Sequence, residues 1–210
     1  MVEPFTEIDP DRVRANLAEV RGIAGPEVEV LVASKYVPVD ELGALADAGV
    51  ELLGENRLGD LEAKRERFGD SFTWDFIGNL QSRKVRDVLP LVRLIHSVGS
   101  GSVLKELGKH GTGATQVLIQ VNVANEEGKG GFATDELGEV LGNCPVRVAG
   151  LSTMPPFAAD PEESRPHFAR LAELAAEHGL ERISMGTSQD WRVAVEEGAT
   201  TIRLGSALFA

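Results

Sequence analysis

The chain is predicted to be an α/β protein, a single (β/α)8 TIM barrel with one extra helix at its N-terminus. Short apolar runs alternate with helix-patterned segments from end to end, about eight times over. The 210 residues are enough for one such core, near the short end of the class. The competing open, doubly wound sheet calls for a G-x-G-x-x-G turn after its first strand, and none is present. No linker or shift in composition marks a second domain, so one domain is expected over residues 1–210.

The elements follow in order. An opening helix runs from about Pro10 to Gly22, and the first strand is the apolar run Val28 to Ser34. Pro38 starts a helix through Ala48, with Asp40 and Glu41 in its first turn and Gly49 at its end. Strand two, Glu51 to Gly54, precedes a charged helix from Arg57 to about Phe68. Thr73 to Ile77 is strand three, followed by a helix from Ser82 to Leu89. Leu94 to Ser97 is strand four, followed by a helix near Ser102 to His110.

The second half repeats the rhythm. Gln116 to Val123 is strand five, and a glycine-rich loop leads to a helix at Thr134 to Leu141. Val146 to Ser152 is strand six, and the long helix Pro161 to His178 carries an apolar stripe at Phe168, Leu171, Ala172 and Ala175. Arg182 to Met185 and Thr200 to Arg203 are strands seven and eight, separated by a helix ending at Gly198. Ser206 to Ala210 adds one further helical turn.

Composition narrows the function. Hydrophobic content of 42% and charged content of 26% are ordinary for a soluble globular protein. A net charge of −12 argues against a nucleic acid or an anionic membrane as main partner. The single cysteine, Cys144, excludes an intramolecular disulfide and a thiolate metal cluster. Met1 to Pro10 lacks the apolar core of a signal peptide, and no apolar stretch is long enough to span a bilayer, so a cytoplasmic protein is expected. The four histidines show no metal-binding spacing, and no G-x-S-x-G elbow occurs, so no metal is expected.

In such barrels chemistry sits at the carboxyl ends of the strands. Taken strand by strand, those ends carry Lys35; Glu55 and Asn56; Gly78, Asn79 and Gln81; His96 and Ser97; Asn122; Thr153 and Met154; Gly186, Thr187 and Ser188; and Arg203, Gly205 and Ser206. Lys35 is read as the charged end of a buried strand. Desolvation there either frees its amine for a Schiff base or is avoided by snorkelling or an ion pair. The turns Gly186–Ser188 and Gly205–Ala207 would direct free backbone amides at one anion, a phosphate site that is compatible with helix capping by Ser188 and Ser206. A lysine facing a phosphate site implies a phosphorylated carbonyl ligand, either a sugar phosphate or pyridoxal 5′-phosphate.

Several segments occur in register: Ala33-Ser34-Lys35, Gly54-Glu55-Asn56-Arg57, Phe76 to Lys84, Ile95-His96-Ser97-Val98, Gln120 to Val123, Gly150 to Pro155, Ser184 to Ser188 and Ile202 to Ser206. Together they resemble the pyridoxal phosphate homeostasis proteins, single-domain relatives of the alanine racemase N-terminal barrel (fold type III among pyridoxal phosphate proteins). The resemblance implies that Lys35 carries the cofactor as an internal aldimine. It puts Asn56 near the ring hydroxyl, Ser188, Gly205 and Ser206 at the phosphate, and Arg203 at the pyridine nitrogen. A guanidinium keeps its proton, so it donates to an unprotonated ring nitrogen and leaves the ring a weaker electron sink. Asp75, Asn79, Gly99 and Tyr36 depart from the family's usual residues.

Racemisation needs a second base on the opposite face of the ring. The related racemases supply it from another domain and subunit, whereas this sequence stops shortly after strand eight. Its only tyrosine, Tyr36, should point away from Lys35 if strand alternation persists. The expectation is therefore a monomeric cofactor-binding protein for storage, buffering or delivery, with apoenzymes as transient partners and no robust catalysis. An amino-acid racemase and a Schiff-base aldolase acting on a sugar phosphate are the alternatives. Lys84 and Lys129 are either accessory cofactor or phosphate contacts or solvated cations.

Overall fold

The computed structural model describes residues 4–209. Eight parallel strands close into a barrel in chain order, β8 pairing back onto β1. The strands are β1 (Glu29–Ala33), β2 (Leu52–Glu55), β3 (Thr73–Phe76), β4 (Leu94–Val98), β5 (Gln116–Gln120), β6 (Arg147–Ser152), β7 (Arg182–Thr187) and β8 (Thr201–Leu204). A helix α1 (Pro10–Ala24) precedes them, capped by Asp9, whose carboxylate accepts from the amide of Asp11 at 2.9 Å. The remaining helices are α2 (Leu42–Asp47), α3 (Leu58–Phe68), α4 (Val85–Val88), α5 (Gly101–His110), α6 (Leu137–Asn143), α7 (Arg165–Glu177), α8 (Trp191–Glu196) and α9 (Ser206–Phe209).

Burial explains the sequence pattern. Strands covered on both faces read as continuous apolar runs. Their outward residues (Val32, Leu53, Phe76, Ile95, Val117, Ile119, Ile202, Leu204) pack against helix residues such as Leu17, Leu42, Leu61, Leu107, Phe168 and Leu171. Strands β6 and β7 approach closely at Gly150, where a β-carbon would lie 1.9 Å from the Arg182 carbonyl oxygen. A glycine is required there by contact between backbones, not by conformation.

Five boundaries differ from expectation. Strand β5 stops at Gln120, not Val123, because the Asn122 amide closes a loop: its Oδ1 accepts from the Glu126 N–H at 3.1 Å and its Nδ2 donates to the Glu126 carbonyl at 2.9 Å. Helix α6 starts at Leu137, not Thr134, since Glu136 bends back to accept from the Ala133 N–H at 3.0 Å. The proline- and charge-rich starts at Val39–Glu41, Ser82–Lys84 and Pro161–Ser164 are single 3-10 turns ahead of their helices. Helix α9 forms as expected, and Ala210, the end of that turn, lies outside the described residues.

Candidate cofactor site

At the carboxyl ends of the strands a cavity of about 460 Å³ gathers Lys35, Asn56, Ser188, Arg203, Gly205 and Ser206, all six of the singled-out residues. This is the size of an ordinary small-molecule site. Four strands supply most of it. Strand β1 delivers Lys35 through the turn after Ala33, β2 delivers Asn56, and β7 and β8 lie side by side and deliver the rest.

Lys35 corrects the reading that made it the end of a buried strand. Strand β1 ends at Ala33, and the Ser34 carbonyl accepts from the Val37 N–H at 2.9 Å to form a turn. Lys35 is exposed in the mouth, with its ammonium 5.2 Å from the centre of the Tyr36 ring. The same turn breaks the strand alternation, so Tyr36 lines the cavity beside Lys35 and does not point away from it. Phe5, absent from the sequence-derived site, also reaches the mouth: its N–H donates to the Tyr36 carbonyl at 2.8 Å, and its ring packs 4.8 Å from that of Phe209.

The anion turn is built differently from the predicted row of free amides. The Thr187 amide donates to Asp190 Oδ1 at 2.7 Å, while Asp190 Oδ2 accepts from Ser164. The Gly205 and Ala207 amides both donate to Ser188 Oγ, at 3.0 and 3.2 Å. A hydroxyl oxygen that accepts twice has its own proton left to give. Ser188 thus gathers two backbone donors on its oxygen and keeps its own O–H to give at the cavity. Gly205 leaves space in the cradle, since a β-carbon there would come no closer than 3.6 Å to Ala33.

Arg203 is 7% exposed. Its guanidinium donates to Ser184 Oγ at 2.5 Å, to the Thr153 carbonyl at 2.8 Å and to Met154 Sδ at 2.9 Å. Burial lowers its pKa to about 10, which still leaves it charged at neutral pH. Among the described residues no carboxylate bonds to it, and it lines the cavity. Asn56 Oδ1, also at the cavity wall, is buried without a partner among the described residues. A buried carbonyl oxygen left so is costly, and a ligand that donates to it relieves the cost.

Several strand-end residues do not join the site. Glu55 turns outward and is fully buried: it pairs with Lys64, accepts from Ser34 Oγ at 2.7 Å and accepts from the Asn56 N–H at 3.1 Å. His96 lies inside the barrel, bonded to Ser184 and Asp75. Asn79 and Gln81 are exposed, and Asn122 is used by its loop. Lys84 lies outside the cavity, and Lys129 is paired with Glu126. Cys144 is half-buried, and burial pushes its thiol pKa up, away from reactivity. Among the described residues no three His, Cys, Asp or Glu side chains gather as a metal site, and no helix is long and apolar enough to cross a membrane.

An eight-stranded parallel barrel with an amine, a guanidinium and an anion turn around one mouth defines a class of phosphate-binding Schiff-base barrels. The family model of the alanine racemase N-terminal domain matches residues 8–210. The pyridoxal phosphate homeostasis protein of Aquifex aeolicus is 39% identical over 197 residues, covering 86% of each chain. The Pseudomonas aeruginosa homeostasis protein is 34% identical, over 94% of this chain and 92% of its own. Among solved structures, PipY of Synechococcus elongatus superposes with a TM-score of 0.82 at 30% identity without PLP, and 0.81 at 29% with PLP bound. Each covers 94% of this chain and all of the neighbour. The chain belongs to the alanine racemase N-terminal-domain family, and within it to the pyridoxal phosphate homeostasis proteins.

Proposed function

We propose that this protein binds pyridoxal 5′-phosphate in the barrel mouth and serves its homeostasis, holding the cofactor reversibly for storage, buffering or delivery. When bound, the cofactor supplies an aldehyde that condenses reversibly with a lysine amine. Lys35 is the amine at the mouth. Ser188, Gly205 and Ser206 would form the turn that takes the phosphate, Arg203 would donate to the pyridine nitrogen, and Asn56 would face the ring hydroxyl. The observation that carries this reading is the meeting of the Lys35 amine, the buried unpaired guanidinium and the Ser188 donor around one cavity. The orphaned Asn56 oxygen and the open β-carbon position of Gly205 fit the same group.

The same residues define a tether better than a catalyst. A racemase needs a base on the ring face opposite the lysine. Tyr36, with its ring centre 5.2 Å from the Lys35 amine, lies beside the lysine. The proposed protein is one barrel domain, cytoplasmic and monomeric, handing cofactor to apoenzymes with at most weak side activity. Protein mixed with pyridoxal phosphate should turn yellow, and borohydride reduction should fix the cofactor mass on the peptide containing Lys35. A colourless protein that stays unmodified refutes the reading. Steady exchange of amino-acid α-protons would favour the racemase, and borohydride trapping of a sugar phosphate would favour the aldolase.

A further inference from the structure

We infer that Ser184, His96 and Asp75 are positioning residues that hold Arg203 in place through a hydrogen-bonded chain running down the inside of the barrel. The inference rests on the proposed function, because it assigns Arg203 to the cofactor. The chain starts at the mouth, where Arg203 donates to Ser184 Oγ at 2.5 Å. Ser184 Oγ lies 2.8 Å from His96 Nδ1, and His96 Nε2 lies 3.0 Å from Asp75 Oδ2. Strands β4 and β7 are not neighbours in the barrel, so the Ser184–His96 contact crosses its interior.

Donor and acceptor roles follow from the ends inward. Arg203 only donates, so Ser184 accepts from it; Asp75 only accepts, so His96 gives it the Nε2 proton, and in the neutral ring Nδ1 is left to accept the Ser184 proton. Arg93 closes the far side of Asp75 with two bonds, at 3.1 and 2.7 Å, and then reaches Glu29, at 2.8 and 3.4 Å. Arg182 donates to the same Glu29 at 3.0 Å. Each link has one direction, and a charged cluster at the opposite end of the barrel anchors it.

The chemistry requires His96 to be neutral. A proton on Nδ1 would turn the Ser184 hydroxyl away and set two positive charges one hydroxyl apart. Burial pushes the His96 pKa down, with Asp75 opposing and the Arg203 and Arg93 charges adding to the fall. Packing does not demand this arrangement, because barrel interiors are ordinarily filled with branched apolar side chains. A polar chain in that place is tolerated only when every link is satisfied, and then it restricts its members to one geometry. Here that geometry aims the guanidinium.

The test measures pyridoxal phosphate affinity and the absorbance maximum of the bound cofactor in full-length protein. Ser184→Ala should weaken binding about tenfold and shift the maximum, the scale of one lost hydrogen bond to a charged group. On an Arg203→Met background the same substitution should change affinity less than twofold, because nothing remains to be aimed. Should Ser184→Ala melt below the assay temperature, His96→Asn replaces it in the same cycle. Wild-type affinity and spectrum in these variants, or a loss undiminished on the Arg203→Met background, overturns the inference while leaving the cofactor reading intact. A wild-type protein that binds no pyridoxal phosphate overturns both.

Discussion

Removing the Lys64 ammonium while leaving the Glu55 carboxylate tests how the loops that carry Lys35 and Asn56 are held. Glu55 is fully buried, and the Lys64 side chain is 4% exposed. Lys64 also donates to the Ser34 carbonyl at 2.7 Å, one residue before Lys35. In Lys64→Met the carboxylate keeps only the Ser34 hydroxyl and the Asn56 amide. Breaking one side of a buried pair costs about 3–5 kcal/mol, far more than the pair itself contributes. At about 2–4 °C per kcal/mol for a chain of this size, the melting temperature should fall by about 6–20 °C. Lys64→Met with Glu55→Leu should recover most of the loss, since no uncompensated charge is left inside. Urea unfolding of the two single variants and the double gives the coupling energy. A Lys64→Met protein within about 1 kcal/mol of wild type would refute the argument.

Lys35→Ala should abolish the visible colour with pyridoxal phosphate yet change stability by less than about 0.5 kcal/mol, because the side chain is exposed; calorimetry and absorbance on one sample check both. His96 has a lowered native pKa, so below about pH 6.5 the unfolded chain takes up a proton that the native state refuses. Stability should therefore drop as pH falls below about 6.5, by at most about 1.4 kcal/mol per pH unit, until the native ring itself takes up a proton, and His96→Asn should flatten that slope in urea titrations. Burial raises the Asp75 carboxyl pKa, but His96 and Arg93 outweigh it and hold the carboxyl below its usual range; its contribution, present at higher pH, is lost only in more acid solution. Gly150→Ala should destabilise by at least about 1–3 kcal/mol, since the new β-carbon collides with the Arg182 carbonyl. Gly205→Ala meets nothing closer than 3.6 Å, so it should melt like wild type and lose phosphate affinity; equal effects in the two variants would remove the distinction.

Fold and site were legible to different depths. The barrel was readable because burial on both faces makes each strand a short apolar run, and helix signals such as Pro38 and Gly49 punctuate the runs. Boundaries failed where side chains took over backbone bonding, as Asn122 does after β5 and Glu136 does before α6. Strand ends converging in this fold marked out a ring of polar residues, the family resemblance picked the six proposed cofactor contacts from it, and all six line one cavity. Tyr36 was misplaced because alternation was carried one turn too far. Asp75, Ser184 and Arg93 gave only a weak signal, a polar residue within an apolar strand or just before one, and pairing them requires knowing which strands face each other.

Local chemistry along the chain therefore determined the barrel, its order of elements and the family, because periodicity, caps and motifs are properties of neighbouring residues. What Lys35, Ser188 and Arg203 do with their charges and protons was decided only by tertiary structure. Exposure opens Lys35 to the mouth, two distant amides turn Ser188 into a donor, and a chain across the barrel fixes Arg203. Hydrogen-bond direction and burial depend on partners far apart in the chain, 88 residues for Ser184 and His96, which no local pattern records.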